Sequence, residues 1–353
     1  MKKYDVIVVG GGPGGSATAI GCASAGMDVL LIEKGPKNRE KPCGGVLPLV
    51  APETIEDIVG DTIPDDVREE PSELGLYYVP PSGRANGGRV RNYKIHNVNR
   101  GLFDQWLRDL SEDSGVDVRH ETTLTSVKTT VDHQATIRTG TESFSVTSTF
   151  LVGADGVRSL VRRILFPDLK APPMIVEQEH WRAEADIEDC FYGFFRGDVS
   201  DSYAYLIPKA DSVIIGLGVV PHSVPNVVER IDRFRQWLVQ DFEFIGRERI
   251  KREMWSIPFG YFVPGRERVL LVGDAAGLCN PLSGEGIRLA VESGEAASNA
   301  IIQSDYTDDP LPRYVRNISG LAGMIEELNR FVRSLDDDGR EEFVRNEIER
   351  GRT

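Results

Sequence analysis

Apolar residues follow two different repeats along this chain, and the places where the repeat changes mark out its elements. The run Tyr4–Val9 is almost continuously apolar, small residues follow over Ser16–Ala25, and a second apolar run, Val29–Ile32, ends at Glu33. That order predicts a βαβ unit, because buried parallel strands read as unbroken apolar runs. The next stretch, Gly35–Gly88, is rich in Pro and Gly and shows no long periodic segment, so it reads as a loop region ordered by something other than core packing. A helix is expected over Leu102–Ser111, then alternating strands at Val116–Arg119, Leu124–Val131 and Ala135–Thr139, and an apolar strand at Phe150–Gly153. Residues 174–219 read as several antiparallel strands, Asn226–Asp241 as a helix and Trp255–Pro258 as a further strand. The apolar run Val269–Gly273 returns to the character of the opening strands, and Gly284–Gln303, rich in Ala, Glu and Ser, is a long helix.

A glycine-rich turn joins the first strand to the first helix, Gly10-Gly11-Gly12-Pro13-Gly14-Gly15. In a G-x-G-x-x-G turn the first glycine allows the bend, the second lets the backbone approach a pyrophosphate, and the third lets helix and strand close up. The helix N-terminus then attracts the phosphates. Glu33, eighteen residues past Gly15, is placed to accept hydrogen bonds from a ribose. An acid there argues against a 2′-phosphate, so NADP does not fit this site. Two distant segments complete the pocket. Gly153-Ala154-Asp155-Gly156 follows a strand and opens a helix, and Gly273-Asp274-Ala275-Ala276-Gly277 puts a carboxylate and free amides where ribityl and phosphate groups are held. Pro281-Leu282-Ser283-Gly284-Glu285-Gly286-Ile287 then starts the long helix, whose N-terminus faces the same ligand. Together the three segments describe a pocket for FAD.

The expected fold is α/β (α+β overall). A Rossmann-like FAD-binding domain, discontinuous over residues 1–75, 100–168 and 262–305, carries an inserted antiparallel β-rich substrate domain over 76–99 and 169–261. A short helical tail covers 306–353. In that tail Leu311, Tyr314, Ile318, Leu321, Ile325, Leu328, Val332 and Leu335 recur at spacings of three and four, one apolar stripe down a helix that starts near Pro312. Such a stripe packs on its own protein, pairs with a partner helix or lies on a membrane. Its polar side mixes Arg313, Arg316 and Arg330 with Glu326 and Glu327 and ends in Asp336-Asp337-Asp338, unlike the Lys/Arg-rich face of an interfacial helix. The tail is therefore expected to cover the substrate domain or a subunit contact, with any membrane attachment weak.

Composition narrows the classes. The 353 residues leave room for about two domains, and a net charge of −14 disfavours nucleic acid and gives no pull toward anionic lipid. A helix needs about 20 apolar residues to span a bilayer, and the best run, Val213–Val220, is eight long and contains two glycines. Met1-Lys2-Lys3 opens directly into the first strand with no h-region or cleavage site, which reads as a cytoplasmic protein, peripheral at most to a membrane. Cys22, Cys43, Cys190 and Cys279 are scattered, with no C-x-x-C pair, and support neither a disulfide framework nor a metal site.

The three nucleotide segments, in this order and with Arg100-Gly101-Leu102-Phe103-Asp104 between the first two, resemble the FAD superfamily of aromatic hydroxylases, flavin halogenases and geranylgeranyl reductases. Lys41-Pro42-Cys43-Gly44-Gly45 resembles the P-C-G-G motif of the geranylgeranyl reductase family, and Tyr203-Ala204-Tyr205-Leu206-Ile207-Pro208-Lys209 is similar to its Y-x-W-x-F-P-K segment. Ile215-Gly216-Leu217-Gly218-Val219 and Ser283-Gly284-Glu285-Gly286-Ile287 also follow the reductase form, and the likeness extends to about residue 305. Tyr205 and Ile207 stand where the family usually has Trp and Phe, and the tail is short for the family, so the roof over the substrate differs.

The resemblance implies an FAD site built from Gly10, Gly12, Pro13, Gly14, Gly15, Glu33, Lys34, Cys43, Gly44, Arg100, Asp155, Gly156, Gly273, Asp274, Gly284, Glu285, Gly286 and Ile287. It places Cys43, Gly44 and Gly45 beside the isoalloxazine as the catalytic loop, and Tyr203, Tyr205, Ile207, Pro208 and Trp255 around the substrate, with no metal. The residues themselves leave room for Cys43 as an ordinary buried thiol and for Tyr203 and Tyr205 as a core pair on one strand face. The implied activity is reduction of carbon–carbon double bonds in a prenyl chain on a lipid, quinone or pigment. A single dinucleotide fold leaves NADPH or a small redox protein to deliver electrons by surface encounter. Two readings compete: an aromatic hydroxylase, which shares all three FAD segments, and a non-catalytic flavin-binding protein. A halogenase fits poorly, because Trp255-Ser256-Ile257-Pro258 supplies only half of its W-x-W-x-I-P guard and residues 42–93 hold no lysine before Lys94.

Overall fold

In the computed structural model the described residues are 1–350 apart from 130–131, 221–222, 224–225, 305 and 307. They form strands β1 (Lys2–Val9), β2 (Val29–Ile32), β3 (Val46–Pro48), β4 (Arg68–Val79), β5 (Gly88–Val98), β6 (Asp117–Arg119), β7 (Thr122–Lys128) and β8 (His133–Thr139) in the first part of the chain. There follow β9 (Glu142–Gly153), β10 (Met174–Glu184), β11 (Cys190–Phe194), β12 (Ala204–Lys209), β13 (Ser212–Val219), β14 (Ile245–Ile257), β15 (Gly265–Arg266) and β16 (Val269–Leu271). The helices are α1 (Pro13–Ser24), α2 (Ala51–Val59), α3 (Arg100–Asp113), α4 (Leu160–Leu165), α5 (Val227–Phe242), α6 (Ile287–Ile302), α7 (Leu311–Asn317), α8 (Ser319–Ser334) and α9 (Asp337–Arg350).

Two sheets divide these strands. The first runs β15-β16-β9-β1-β2-β6, extended by the antiparallel β7 and β8 beside β9, and its β16, β9, β1, β2 and β6 are mutually parallel. Register brings their C-terminal ends level: Val9 pairs with both Ile32 and Gly153, and Gly153 with Leu271. Gly10, Glu33, Ala154 and Val272 therefore leave the sheet along one edge, where doubly wound sheets bind ligands. Helices α1 and α6 cover one face in close approach, since a Cβ on Gly14 would lie 2.9 Å from the Ala290 oxygen and one on Gly294 2.4 Å from the Gly14 oxygen. The second sheet runs β14-β10-β13-β12-β11-β4-β5-β3, and α5 buries Ile231, Phe234, Trp237 and Leu238 against one face of it.

Gly35–Gly88 is more ordered than its composition predicts. Ile55 and Val59 of α2, with Ala51, form a buried i, i+4, i+8 face only nine residues long, and Gly60 in the left-handed region ends it. β3 gains its partner from β5, some fifty residues on, and β4 from its neighbour β5 and the remote β11, so residues 46–48 and 68–75, expected with the nucleotide domain, pair in the second sheet. β14 starts ten residues before the expected strand because its charged residues hide the alternation. They pair across to β10, Arg252 with Glu177, Arg249 with Glu179 and Arg247 with Glu184. β7 ends at Lys128, and residues 130–131 of the expected strand lie outside the described residues. The long helix starts at Ile287.

The tail is three helices where one was expected, broken at Ile318 and at Leu335. Its apolar stripe packs on this chain: Tyr314 is buried with its hydroxyl donating to the Leu271 oxygen at 2.6 Å, and Ile325 joins the core under the first sheet. α9 instead backs the second sheet, with Val344 and Ile348 against Phe195 and the partly buried Tyr78, Tyr203 and Leu282. Among the described residues, no helix is long and apolar enough to cross a membrane.

Candidate active site

One cavity of about 1010 Å³ joins the C-terminal edge of the first sheet to the face of the second. At the sheet edge it is lined by Gly10, Gly12, Pro13, Gly14, Glu33 and Lys34. Gly10 has φ +110°, and a Cβ there would lie 2.3 Å from the Ala154 oxygen, so only glycine fits between the strand ends. Gly12 caps α1 without a side-chain hydrogen bond, and a Cβ on it would meet only Arg39 Nη2 at 3.7 Å. The helix terminus thus opens on unfilled space. Gly15 lies off the cavity, where a Cβ would stand 1.9 Å from the Gly10 oxygen; its role is packing of helix on strand.

Glu33 is buried and accepts from the Gly11 amide at 3.0 Å and the Gly35 amide at 2.8 Å, so the acid also holds the loop. Two arginines that the motif did not flag complete this end. Arg39 pairs with Glu33 and with Asp104, each at 3.1 Å. Arg108, fully buried, donates to the Gly11 oxygen at 3.1 Å and the Lys37 oxygen at 2.6 Å. The available signal was an arginine four residues past Asp104, on the face of α3 that buries Phe103 and Leu107. Burial would raise the Asp104 carboxyl, but Arg100 and Arg39 outweigh it and hold it below the usual carboxylate range.

Arg100 lines the cavity between Asp104, 2.7 Å away, and Cys43, whose Sγ is 3.7 Å from Nη1. Asp155 and Gly156 line it on the other side. Asp155 Oδ2 accepts the Leu160 amide at 2.6 Å while its buried Oδ1 has no protein partner. Burial raises that carboxyl above its ordinary value. Gly273, Asp274, Gly284, Glu285, Gly286 and Ile287 follow, with Lys41 3.4 Å from Asp274 and the N-terminus of α6 free of any side-chain cap.

Cys43 and Gly44 line the cavity where it meets the second sheet, and a Cβ on Gly44 would lie 2.6 Å from Ile207 Cδ1. Gly45 turns away from it with φ +64°, 2.2 Å from the Val98 oxygen if it had a Cβ. Tyr203, just before β12, and Tyr205 and Ile207, which alternate along it, line the far end with Trp255 of β14. Pro208, expected beside the substrate, is off the cavity: one position past Ile207 it points to the other side of the pleat. Both tyrosine hydroxyls are spent on the protein, Tyr203 donating to the Ser283 oxygen at 2.7 Å and Tyr205 to Gln178 Oε1 at 2.9 Å, and burial pushes both phenols up.

An uncapped helix terminus over open space, an acid at the second strand end and an unpartnered Asp155 oxygen beside a second uncapped helix fit a dinucleotide carrying a ring system that reaches Cys43. The class follows from sequence kinship. Residues 3–213 match the FAD binding domain family, and the chain belongs to it; FAD is its cofactor. The chain is 30% identical to Protein CbrA of Escherichia coli O157:H7 over 314 residues, 86% of this chain and 85% of that protein. In fold it is similar to a geranylgeranyl bacteriochlorophyll reductase-like protein of Thermoplasma acidophilum, with a TM-score of 0.83 at 24% identity over 99% of this chain and 92% of that one. The myxobacterial chondrochloren halogenase CndH shares the fold at a TM-score of 0.74 and 18% identity, over 98% of this chain and 86% of that one. The expected superfamily of FAD-dependent oxidoreductases is thereby established, and the α/β fold with it.

Proposed function

We propose that the protein is a reductase that saturates carbon–carbon double bonds of a prenyl chain on a lipid, quinone or pigment. One observation carries this reading: the far end of the cavity is walled by aromatic and aliphatic side chains, and Tyr203 and Tyr205 turn their hydroxyls into the protein. A phenolic substrate needs directional partners at its polar groups, because leaving them unpaired costs about 1–3 kcal/mol each. An isoprene chain needs only shape and dryness, gaining about 0.8 kcal/mol for each buried methylene. The Thermoplasma neighbour, a geranylgeranyl bacteriochlorophyll reductase-like protein, supports this choice.

Bound FAD, when reduced, supplies the hydride equivalent for such a reaction. The chain supplies the rest. Gly44 and Gly45 keep the loop thin enough to lie against Ile207 and Val98 of the second sheet, and Cys43 lines the cavity beside Arg100, positioned to give or gate the proton that the second carbon requires. The uncapped termini of α1 and α6 would hold negative charge on the bound cofactor. Electrons arrive from NADPH or a small redox protein by transient contact, and any membrane contact is peripheral.

The test is anaerobic. The flavin of the purified protein is reduced, and prenyl lipids, prenylquinones and prenylated pigments are added separately. Flavin reoxidation with a mass gain of two hydrogens per bond is expected for one class. In a parallel aerobic assay of the reduced protein, oxygen uptake stoichiometric with a hydroxylated product would replace this reading with a monooxygenase, and reoxidation by none of the acceptors in the anaerobic test would favour a flavin-binding protein without turnover.

A further inference from the structure

Behind the cavity wall, the middle of β10 carries an amide that the proposed reaction leaves unused. Gln178 is fully buried, with both ends of its side chain engaged. Its Oε1 accepts the Tyr205 hydroxyl at 2.9 Å, and its Nε2 lies 2.8 Å from His180 Nε2 and 3.4 Å from both the Cys43 oxygen and Glu253 Oε2. One side chain thus ties the Cys43 loop to the Tyr205 ring, and both to a cluster that reaches the surface, where Lys251 joins Glu253 at 2.7 Å and Glu40 at 3.3 Å.

Register produces the arrangement. Gln178 stands opposite Glu253 on β14, and His180 opposite Lys251, so all four side chains share a sheet face. On the other side, Gly216 of β13 stands between Gln178 and Tyr205, paired to both. A Cβ on Gly216 would lie 2.4 Å from the Tyr205 hydroxyl oxygen. The missing side chain is what lets the phenol cross a whole strand to reach the amide.

We propose that Gln178 is a positioning residue, which fixes the Cys43 loop and the Tyr205 ring relative to each other, and that His180 and Glu253 decide whether it is held. With His180 neutral, its Nε2 accepts a hydrogen bond from the Gln178 amide. Once protonated, the same nitrogen donates to Glu253 Oε2, 3.2 Å away, and Gln178 loses that acceptor. The charged groups facing the imidazole are Glu253 and Lys251 of β14 and Lys209 of β12. Burial, with the two lysines, outweighs Glu253 and keeps His180 below its ordinary 6.5. The arrangement is therefore closed at neutral pH and released in acid.

The inference rests on the proposed reading in that Cys43 and Tyr205 flank the reacting bond, but its test does not depend on turnover. Cys22, Cys190 and Cys279 are buried and Cys43 is half-exposed, so the rate at which a pyridyl disulfide modifies the FAD-loaded full chain reports the loop. Gln178→Leu is expected to raise that rate about tenfold at neutral pH, the equivalent of losing one buried hydrogen bond. It should also lower kcat more than KM on any substrate the enzyme accepts. His180→Gln keeps an acceptor that does not titrate: its rate should match the parent at about pH 7.5, while the parent becomes several-fold faster than it as the pH is taken down through the acid range in which the folded protein persists. An unchanged Cys43 rate in Gln178→Leu, or a parent-to-His180→Gln ratio that stays at unity across the range, overturns the proposal. Should Gln178→Leu fail to fold, Tyr205→Phe removes the other end of the same bond and must also accelerate Cys43, or the proposal fails. Prenyl acceptors that never reoxidise the flavin would sink the reductase reading while leaving these rates untouched.

Discussion

Substituting Gly12 and Gly15 separates cofactor binding from folding within a single turn. Gly12 sits at φ −87° and ψ −178°, extended backbone that any residue adopts, and a Cβ there has no neighbour nearer than 3.7 Å. Valine at this position strains nothing, but its three side-chain carbons occupy the space over the α1 terminus. If two amide–phosphate bonds are lost, at about 1.5–3 kcal/mol each for bonds to a charged group, FAD binding weakens by about 3–6 kcal/mol, or roughly 10²–10⁴-fold. Gly15 is the opposite case, because its Cβ would lie 1.9 Å from one backbone oxygen and 3.1 Å from the Ala154 Cβ. Gly15→Ala forces α1 off β1, at a cost of about 1–3 kcal/mol or more. The assay is the 450 nm flavin band of the purified proteins, together with thermal melting with and without added FAD. The parent should gain about 2.7 kcal/mol of stability at a hundredfold excess of FAD over its Kd. Gly12→Val should melt like the parent without FAD and gain nothing with it, whereas Gly15→Ala should melt lower in both conditions. A Gly12→Val protein that purifies with its full yellow complement refutes the assignment of the cradle.

Cys43→Ser should leave the melting temperature within about 2 °C, since the thiol is half-exposed and packs in no core, yet slow turnover at least tenfold; unchanged turnover on the true substrate would make the thiol structural. Deleting residues 336–353 should destabilise the chain by about 3–6 kcal/mol from the loss of Val344 and Ile348 burial. The deletion also removes the Arg340 donors that reach the Ser202 oxygen at 2.6 Å and the Asp201 oxygen at 2.8 Å. A truncated protein that stays folded and monomeric but no longer floats with liposomes would instead make the tail a membrane anchor. Burial alone would raise the Asp117 carboxyl, but hydrogen bonds from Arg119, Tyr4 and Lys2 hold it well below the usual carboxylate range. The stability it contributes is complete above the unfolded value of about 3.9 and is lost as pH falls toward the lower folded value. Asp117→Asn should therefore be less stable at neutral pH and show a flatter acid limb in a melting-temperature profile.

By itself, the sequence determined the nucleotide site. A glycine turn, an apolar run on either side and an acid at the second strand end are local features, and the parallel strands that carry them are buried on both faces, so they read as unbroken apolar segments. The same locality exposed the stripe from Leu311 to Leu335, though not the break at Ile318 that makes it two helices. Tertiary structure alone decided what depends on remote pairing. β4 becomes a strand through β5 and β11, and α2 owes its nine residues to a face that α1, α3, α6 and β3 cover. The first ten residues of β14 could not be seen because they are mostly charged and find partners on β10. The same holds for the residues that finish the site. Arg39, Arg108 and Gln178 belong to no motif, since a buried polar side chain is tolerated only where the fold brings it partners, and most of those partners are remote in the chain, up to 135 residues away.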